Sequence, residues 1–403
     1  MSLPLEGINV LEFGAVFAGP ATVMHLADQG ANVIKVEPPE GDSARRSAPV
    51  FLNGLSLAFL TLNRNKRSIV LNLRQPKAME VVHRLTKWTD AVVINMKTGS
   101  PEKLGIGYKQ LSAINPRLIY VSMTYAGERG PEAELPGIDL ITQARVGILE
   151  HHRHPDRPPV TSRIWNFDMS VPMVASYGVL LALWERQRTG KGQKIEVSLL
   201  QTALMLQSIQ MTRATPIDQE PLPPAKAVAF PSRFSPDNLP NIYLCKDSRY
   251  LFFSLPGERW QRLCHTIGLH ELADNPKYED PNNRNKYAKE LGKILADRLA
   301  TRPAEEWEKV LKADGQACSV VRDMTEVYDD PQVIANEMIT QFEQPDFHPV
   351  LAVNTPLKLS ATAGENRFRR PVPLLGEHTF EVLQELKYSE DEISEMAAAE
   401  VLG

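Results

Sequence analysis

The sequence predicts an α/β fold built on a doubly wound parallel sheet, followed in the chain by a smaller α+β domain. Three observations carry that prediction. Apolar strand-like runs alternate with helix-length segments over the first ~130 residues, the pattern of repeated βαβ units. Runs such as NVLEF and AVVIN are nearly unbroken rather than alternating, as in parallel strands covered on both faces. A proline-dense stretch at 214–240 then separates this pattern from a shorter one.

Taken in order, the segment from Ile8 to Phe13 reads as the first strand, Gly14 to Pro20 as a turn, and Ala21 to Gln29 as a helix capped by Gly30. The next strand runs from Asn32 to Val36. The pattern repeats with a strand from Ser68 to Leu73, a helix from Pro76 to Trp88, the strand AVVINM at 91–96 and a further strand at 118–123. In such sheets ligands bind beyond the carboxyl ends of the strands, which directs attention to the segments after Phe13, Leu73, Val93 and Met123. Residues 170–189 read as a long, largely buried helix closed by Gly190 and Gly192, followed by the strand KIEVSL and a helix from Leu199 to Met211. These elements assign residues 1–213 to the N-terminal part of a large domain.

Pro216, Pro221, Pro223, Pro224, Pro231, Pro236 and Pro240 make 214–240 a linker that sustains neither helix nor interior strand. Strands at 241–245 and 250–254, with helices near 258–268, 287–300 and 303–313, form the small α+β domain, 241–318. Residues 319–403 are expected to return to the first domain and end in an amphipathic helix near 377–387.

A chain of 403 residues with 43% hydrophobic and 23% charged residues has the composition of a globular protein with two or three cores. With 45 Lys and Arg against 49 Asp and Glu, a net charge of −4, it offers no overall positive field for a nucleic acid backbone. Cys245, Cys264 and Cys318 are far apart and form no CxxC pair, the usage of reduced thiols, so a cytoplasmic location is expected. No apolar run approaches a membrane span, and MSLPLEGINVLEF enters a strand pattern without a signal-peptide n-region.

GAVFAGPA at 14–21 lacks the GxGxxG spacing of a dinucleotide site, although the helix N-terminus behind it can face an anion or a carbonyl oxygen. It can equally be a tight strand-to-helix turn. Basic residues cluster where strand ends should lie: Arg45, Arg46, Arg64, Lys66, Arg67, Arg74, Lys97 and Lys103. They are either phosphate partners or a solvated charged face. His151, His152, Arg153 and His154 lack ligand spacing and read as a loop, with no metal site implied. Asp168 in TSRIWNFDMSVPMV reads from its spacing as the N-cap of the helix that follows, with Pro172 in the first turn. A carboxylate at a helix N-terminus can also act as a covalent nucleophile. No GxSxG, HExxH or Walker A sequence occurs.

The blocks PLEGINVLEFGAVFAGPATVMHLADQGANVIKVEPPEGD, NRNKRSIVLNL, KLGIGYKQLSAINPRLIYVSM, LLALWERQRTGKGQKIEVSLLQTAL and PLLGEHTFEVLQELKYSEDEI resemble, in this order, the class III CoA-transferase family, the formyl-CoA transferase-like enzymes. The resemblance covers nearly the whole chain. It implies a Rossmann-like large domain made from both chain ends, a smaller domain between, and two ring-like subunits interlocked as a homodimer. It further implies an acyl-CoA donor and a carboxylic acid acceptor, with coenzyme A as substrate and no tightly bound cofactor.

Carried over by position, the family's nucleophilic aspartate falls on Asp168, and its CoA contacts fall on Phe17 and Ala18, Leu71, Asn72, Leu73 and Arg74, Asn95, Met96 and Lys97, Lys103 and Asp139. Arg45 is a further phosphate partner on this reading, and the turn Val16 to Ala18 lines the oxyanion site. Lys97 and Lys103 stand where arginine is common, a substitution that keeps a phosphate-binding charge. Phe17 stands where formyl-CoA transferases carry glutamine, and SRFSPDNLPNIYL replaces their glycine-rich loop, so formate and oxalate are disfavoured. Arg163, His151 and Arg153 are available to pair with a second carboxylate. A sister branch racemises 2-methylacyl-CoA with a histidine that here is Ile138, in PGIDL, which removes one of the two acid–base groups. A non-catalytic CoA-binding subunit is the reading from outside enzymology.

Overall fold

The computed structural model describes residues 3–47, 51–53, 55–152, 156–212, 241–253, 259–362 and 368–402. They divide into two compact units, Met1–Thr212 with Glu337–Gly403, and Arg213–Asn336.

The larger unit is organised by six parallel strands: β1 (Asn9–Glu12), β2 (Asn32–Glu37), β3 (Lys66–Val70), β4 (Ala91–Ile94), β5 (Ile119–Thr124) and β6 (Lys194–Ser198). Their spatial order is β3-β2-β1-β4-β5-β6, the doubly wound arrangement whose order reverses between β1 and β4. Helices α1 (Ala18–Asp28), α2 (Ala78–Trp88), α3 (Tyr108–Ile114), α4 (Asp139–Arg145), α5 (Asn166–Thr189) and α6 (Leu199–Leu206) accompany the strands.

Two apolar clusters lie against this sheet. One gathers Leu11, Ile34, Ile69 and Val92 with Val82 and Leu85 of α2. The other gathers Val10, Val33, Val93 and Val121 with Val23 and Ala27 of α1 and Val171, Ala175 and Val179 of α5. Alternate residues of each strand thus enter opposite cores, which is why these strands are apolar on both faces. The C-terminal helices Thr379–Glu385 and Glu390–Ala398 add Val382, Leu383, Ile393 and Met396 to the first cluster. Arg67 of β3 fixes the first of them by ion pairs to Glu381, at 2.8 Å, and Glu385, at 2.7 Å.

The smaller unit has an antiparallel sheet of Ile242–Leu244, Tyr250–Phe253 and Cys318–Val320, with Tyr250–Phe253 in the middle. Trp260–Ile267, Ala288–Leu299 and Ala304–Ala313 pack Leu263, Leu295 and Trp307 against Leu251 and Phe253.

The observed elements depart from the sequence expectations at several points. The strand expected at Ser68 begins at Lys66, because Lys66 and Arg67 turn into the protein and find carboxylates there. The helix expected from Leu199 to Met211 breaks at Gln207 into Leu199–Leu206 and Ser208–Met211. The smaller unit continues past residue 318 to Asn336, since Cys318–Val320 is an edge strand and Glu326 pairs with Arg249 at 2.7 Å. The proline stretch 214–240, with the SRFSPDNLP part of the loop discussed above, lies outside the described residues.

The largest difference is α5, which starts at Asn166 rather than Ser170 and takes Asp168 inside its first turn. It ends at Gly190, whose φ of +71° is the left-handed C-cap conformation that glycine adopts without strain. Contrary to the expectation that no segment approaches a membrane span, α5 is long and apolar enough to cross a bilayer by length and composition. In this unit Phe167, Val171, Ala175, Val179 and Ala182 form its inward face on the second cluster.

Candidate active site

A cleft of about 400 Å³ opens at the carboxyl ends of β1, β4 and β5, at the point where the strand order reverses. Three floor segments come directly from strand ends: Ala15 to Ala18 after β1, Asn95 to Lys97 after β4, and Thr124 to Tyr125 at the end of β5. Asp139 of α4 and Asp168 of α5 stand in its wall, with Leu135, Ile138, Leu140 and Trp165.

The turn after β1 is held tightly. Asn95 clamps Ala15 from both sides, its Nδ2 donating to the Ala15 carbonyl and its Oδ1 accepting from the Ala15 amide, each at 2.8 Å. The clamp requires glycine at position 19, because a Cβ there would lie 2.7 Å from Asn95 Oδ1 and 3.0 Å from the Gly14 Cα. Val16 is held at φ +67°, a left-handed conformation that is strained for a β-branched residue, with its amide donating to Asp42 Oδ1 at 3.0 Å. Past it the chain enters α1. The amides of Phe17 and Ala18 have no acceptor among the described residues, as the unpaired first turn of a helix dictates.

Asp168 is not the N-cap that its spacing suggested. It is the third residue of α5, and the capping acceptor is supplied from elsewhere in the chain. Asp139 Oδ2 accepts from the amides of Phe167 and Asp168, the latter at 3.1 Å, while its Oδ1 accepts from Gln143 Nε2. Asp139 is 1% exposed, so this carboxylate is committed to fixing the first turn of α5. Burial, and secondarily the charge of Asp139, push the Asp168 carboxyl up to about 6. At neutral pH it remains mostly ionised, with a basicity well above that of an exposed aspartate.

Of the residues expected from the sequence, Val16, Phe17, Ala18, Asn95, Met96, Lys97, Asp139 and Asp168 line this one cleft. Leu71 is buried in the core and Leu73 packs against it, while Asn72 is tied to the C-terminus through the Val401 and Glu400 carbonyls. Arg74, Lys97 and Lys103 are exposed and hold no ion pair among the described residues.

Arg45, expected as a phosphate partner, is placed otherwise. It forms a fork on Glu37, with Nε and Nη2 each at 2.7 Å, and its guanidinium lies 3.8 Å from the Phe59 ring centre. Arg64 likewise pairs with Asp28 at 2.7 Å and Lys66 with Glu12 at 2.8 Å. In the single chain these cations are paired with interior carboxylates.

The rings of His151 and His152 lie tilted to one another with centres 5.6 Å apart, and neither they nor Arg163 line the cleft; Arg153 and His154 lie outside the described residues. No group of three or more metal-ligating side chains occurs among the described residues. The aromatic partner of Phe17 was not singled out from the sequence. Trp165 stacks on it with ring centres 5.2 Å apart, and its place three residues before Asp168, on the same helical approach, was the available signal.

Comparison with known proteins decides the family. The model of CoA-transferase family III matches residues 5–379. The chain belongs to this family. It is 30% identical over 402 residues to the succinyl-CoA:glutarate CoA-transferase of Mus musculus, covering 99% of this chain and 90% of that protein. It is 31% identical over 418 residues to a formyl-CoA:oxalate CoA-transferase of Escherichia coli, covering 98% of this chain and 99% of that one. Among solved structures, a CAIB/BAIF family protein from Brucella suis superimposes with a TM-score of 0.82 at 29% identity, over 96% of this chain and all of the other, 100%. The family III transferase described here is therefore an enzyme acting on CoA thioesters, and its cleft at the β1–β4 switch point is the place to seek that chemistry.

Proposed function

We propose that this enzyme moves CoA between carboxylic acids through covalent intermediates on Asp168. The observation that carries the proposal is the half-buried carboxyl of Asp168 in the wall of the strand-end cleft, on a first helical turn whose Phe167 and Asp168 amides are held by Asp139. An Asp168 oxygen attacks the thioester carbonyl of the donor acyl-CoA. The C–S bond breaks and leaves a mixed anhydride and CoA thiolate. The thiolate attacks the Asp168 carbonyl, releasing the donor acid as its carboxylate and forming an aspartyl-CoA thioester. The acceptor carboxylate then displaces the thiolate to give a second anhydride. Attack of the thiolate on the acceptor carbonyl yields the new acyl-CoA and restores Asp168. No step requires a net proton or a tightly bound cofactor.

Each carbonyl passes through an oxyanion, and the unpaired Phe17 and Ala18 amides are the donors facing that position in this reading. Arg74 and Lys97, just past the ends of β3 and β4, and Lys103, at the end of the short helix Ser100–Lys103, hold no ion pair among the described residues and are the cations available to the CoA phosphates. Phe17, Trp165, Ile138 and Leu140 make an apolar acyl wall that a one- or two-carbon acid leaves wet, which supports larger acyl groups over formate and oxalate. Phe17→Gln is expected to shift kcat/KM toward oxalate, relative to glutarate, by about tenfold. Unchanged relative rates would remove Phe17 from specificity. Ile138 cannot hold a proton, which speaks against the racemase chemistry.

The route is tested by isotope transfer. With an acceptor carrying ¹⁸O in both carboxylate oxygens, one label should pass to Asp168 and, in the next turnover, to the released donor acid. Label retained wholly in the new acyl-CoA and free acceptor would rule out the aspartyl route.

We further propose a homodimer formed through the outer face of α5. Met173, Tyr177, Leu180, Leu181 and Trp184 recur at helical spacing on that face, and Tyr177 and Trp184 are 61% and 66% exposed in the single chain. Sedimentation should find a native dimer that Tyr177→Glu with Leu181→Glu converts to monomer; a doubly substituted protein that stays dimeric would place the interface elsewhere. Cys245, Cys264 and Cys318 are free, and burial pushes the first two thiols up to about 11 and 12, which fits a reducing, cytoplasmic setting.

A further inference from the structure

We propose that a buried chain of four charges, Lys66, Glu12, Lys35 and Asp42, is the positioning device that holds the turn 14–20 in the shape needed for transfer. The proposal rests on the reading of Asp168 as nucleophile and of this turn as the donor surface for the oxyanion.

The four side chains lie under the turn, in the interior. Glu12, Lys35 and Lys66 are fully buried and Asp42 is 2% exposed. The pairing of β1 with β2 sets Glu12 beside Lys35, and their ion pair is 2.9 Å. Lys66 reaches the other Glu12 oxygen at 2.8 Å, and Lys35 reaches Asp42 at 2.9 Å. Two positive and two negative charges thus balance.

Three members of this chain each hold a different atom of the turn. Lys35 Nζ donates to the Gly14 carbonyl at 2.7 Å. Asp42 Oδ1 accepts from the Val16 amide at 3.0 Å, which secures the residue in left-handed conformation. Lys66 Nζ donates to the Pro20 carbonyl at 2.9 Å and to Asn63 Oδ1 at 3.0 Å. With Asn95 on Ala15, the turn is fixed from Gly14 to Pro20.

A strand-to-helix turn does not need ions to form. Taking these charges out of water costs several kcal/mol per ion, and well-packed apolar residues would often serve stability equally well. What the charges add is rigidity at named backbone atoms, on either side of the Phe17 and Ala18 amides. Preorganised donors of that kind are where a large share of acyl-transfer catalysis resides.

The test separates charge balance from positioning. Lys66→Met alone leaves the carboxylates of Glu12 and Asp42 facing Lys35 alone and should lower Tm. Lys66→Met with Glu12→Gln restores the balance and should recover Tm, yet it lacks the hold on Pro20. We expect kcat and the rate of covalent labelling by succinyl-CoA to stay down by about 100-fold in the double variant, with KM for the acyl-CoA near the native value. Recovery of kcat along with Tm would show that the charges serve the fold alone and would overturn the proposal, as would native kcat in Lys66→Met.

Should neither variant fold, hydrogen exchange on the native enzyme decides. The Ala15 and Val16 amides should be protected, and exchange at the rate of an open loop overturns the proposal. A native enzyme that takes no covalent label overturns the Asp168 reading and this proposal with it. A native enzyme that is labelled, beside a fully active double variant, overturns this proposal alone.

Discussion

Asp168→Asn should abolish transfer and at the same time make the enzyme more stable at neutral pH. The loss of activity follows from the chemistry. An amide has no carboxylate oxygen to attack a thioester, and removal of a covalent nucleophile costs on the order of 10³-fold or more. The gain in stability follows from linkage. In the unfolded chain an aspartate titrates near 3.9, whereas burial and Asp139 raise Asp168 in the fold to about 6. Between those values the folded state binds more protons. The contribution of this group therefore favours folding in acid and is lost as pH rises through about 6, so at pH 7 the full penalty is present.

Asparagine removes that penalty, roughly 3 kcal/mol at most, for a Tm rise of a few degrees. Thermal unfolding of both proteins at pH 5 and pH 8 tests this, the difference in Tm being larger at pH 8. The same titration sets the native rate profile. Below about pH 6, kcat/KM should fall tenfold per unit as Asp168 becomes protonated.

Asp139→Ala should be the next most damaging change. Its carboxylate holds the amides of Phe167 and Asp168 at the start of α5, so truncation leaves buried donors without an acceptor, a cap loss of about 1 kcal/mol. The greater effect falls on rate, because Asp168 loses the contact that sets its position, and an error near 1 Å costs about 100-fold. Asp139→Asn keeps an acceptor oxygen for those amides and removes the charge. It should restore much of kcat while moving the acid limb of the rate profile to lower pH. A limb that stays in place would mean that Asp139 does not act on the Asp168 charge.

How far the site could be read from the sequence depended on the distance between partners. The strands and helices of the sheet were legible because each is a continuous apolar or amphipathic run, as VLE and AVVI are. The start of α5 was not, because its cap comes from Asp139, 29 residues before Asp168, rather than from a neighbouring side chain. Arg45, Arg64, Lys66 and Arg67 could be read from the sequence only as phosphate partners or as a solvated charged face. Asp28, Glu12 and Glu381 reach Arg64, Lys66 and Arg67 only when α1, β1 and the C-terminal helix pack beside the segment 64–67, whereas Glu37 lies eight residues before Arg45. The helix Glu390–Ala398 was legible and passed over, its Ser389 and Glu392 forming a capping box. Asp168 itself emerged through family resemblance, since spacing alone assigned it a capping role that Asp139 holds.

The most direct test of the central claim is the intact mass of the enzyme after mixing with a panel of acyl-CoAs, with and without hydroxylamine, beside Asp168→Asn. A hydroxylamine-sensitive adduct of CoA or acyl size on the native protein, absent from the variant, is the predicted result. Measurable CoA binding with no adduct from any donor, or an equal adduct on the variant, would contradict the account.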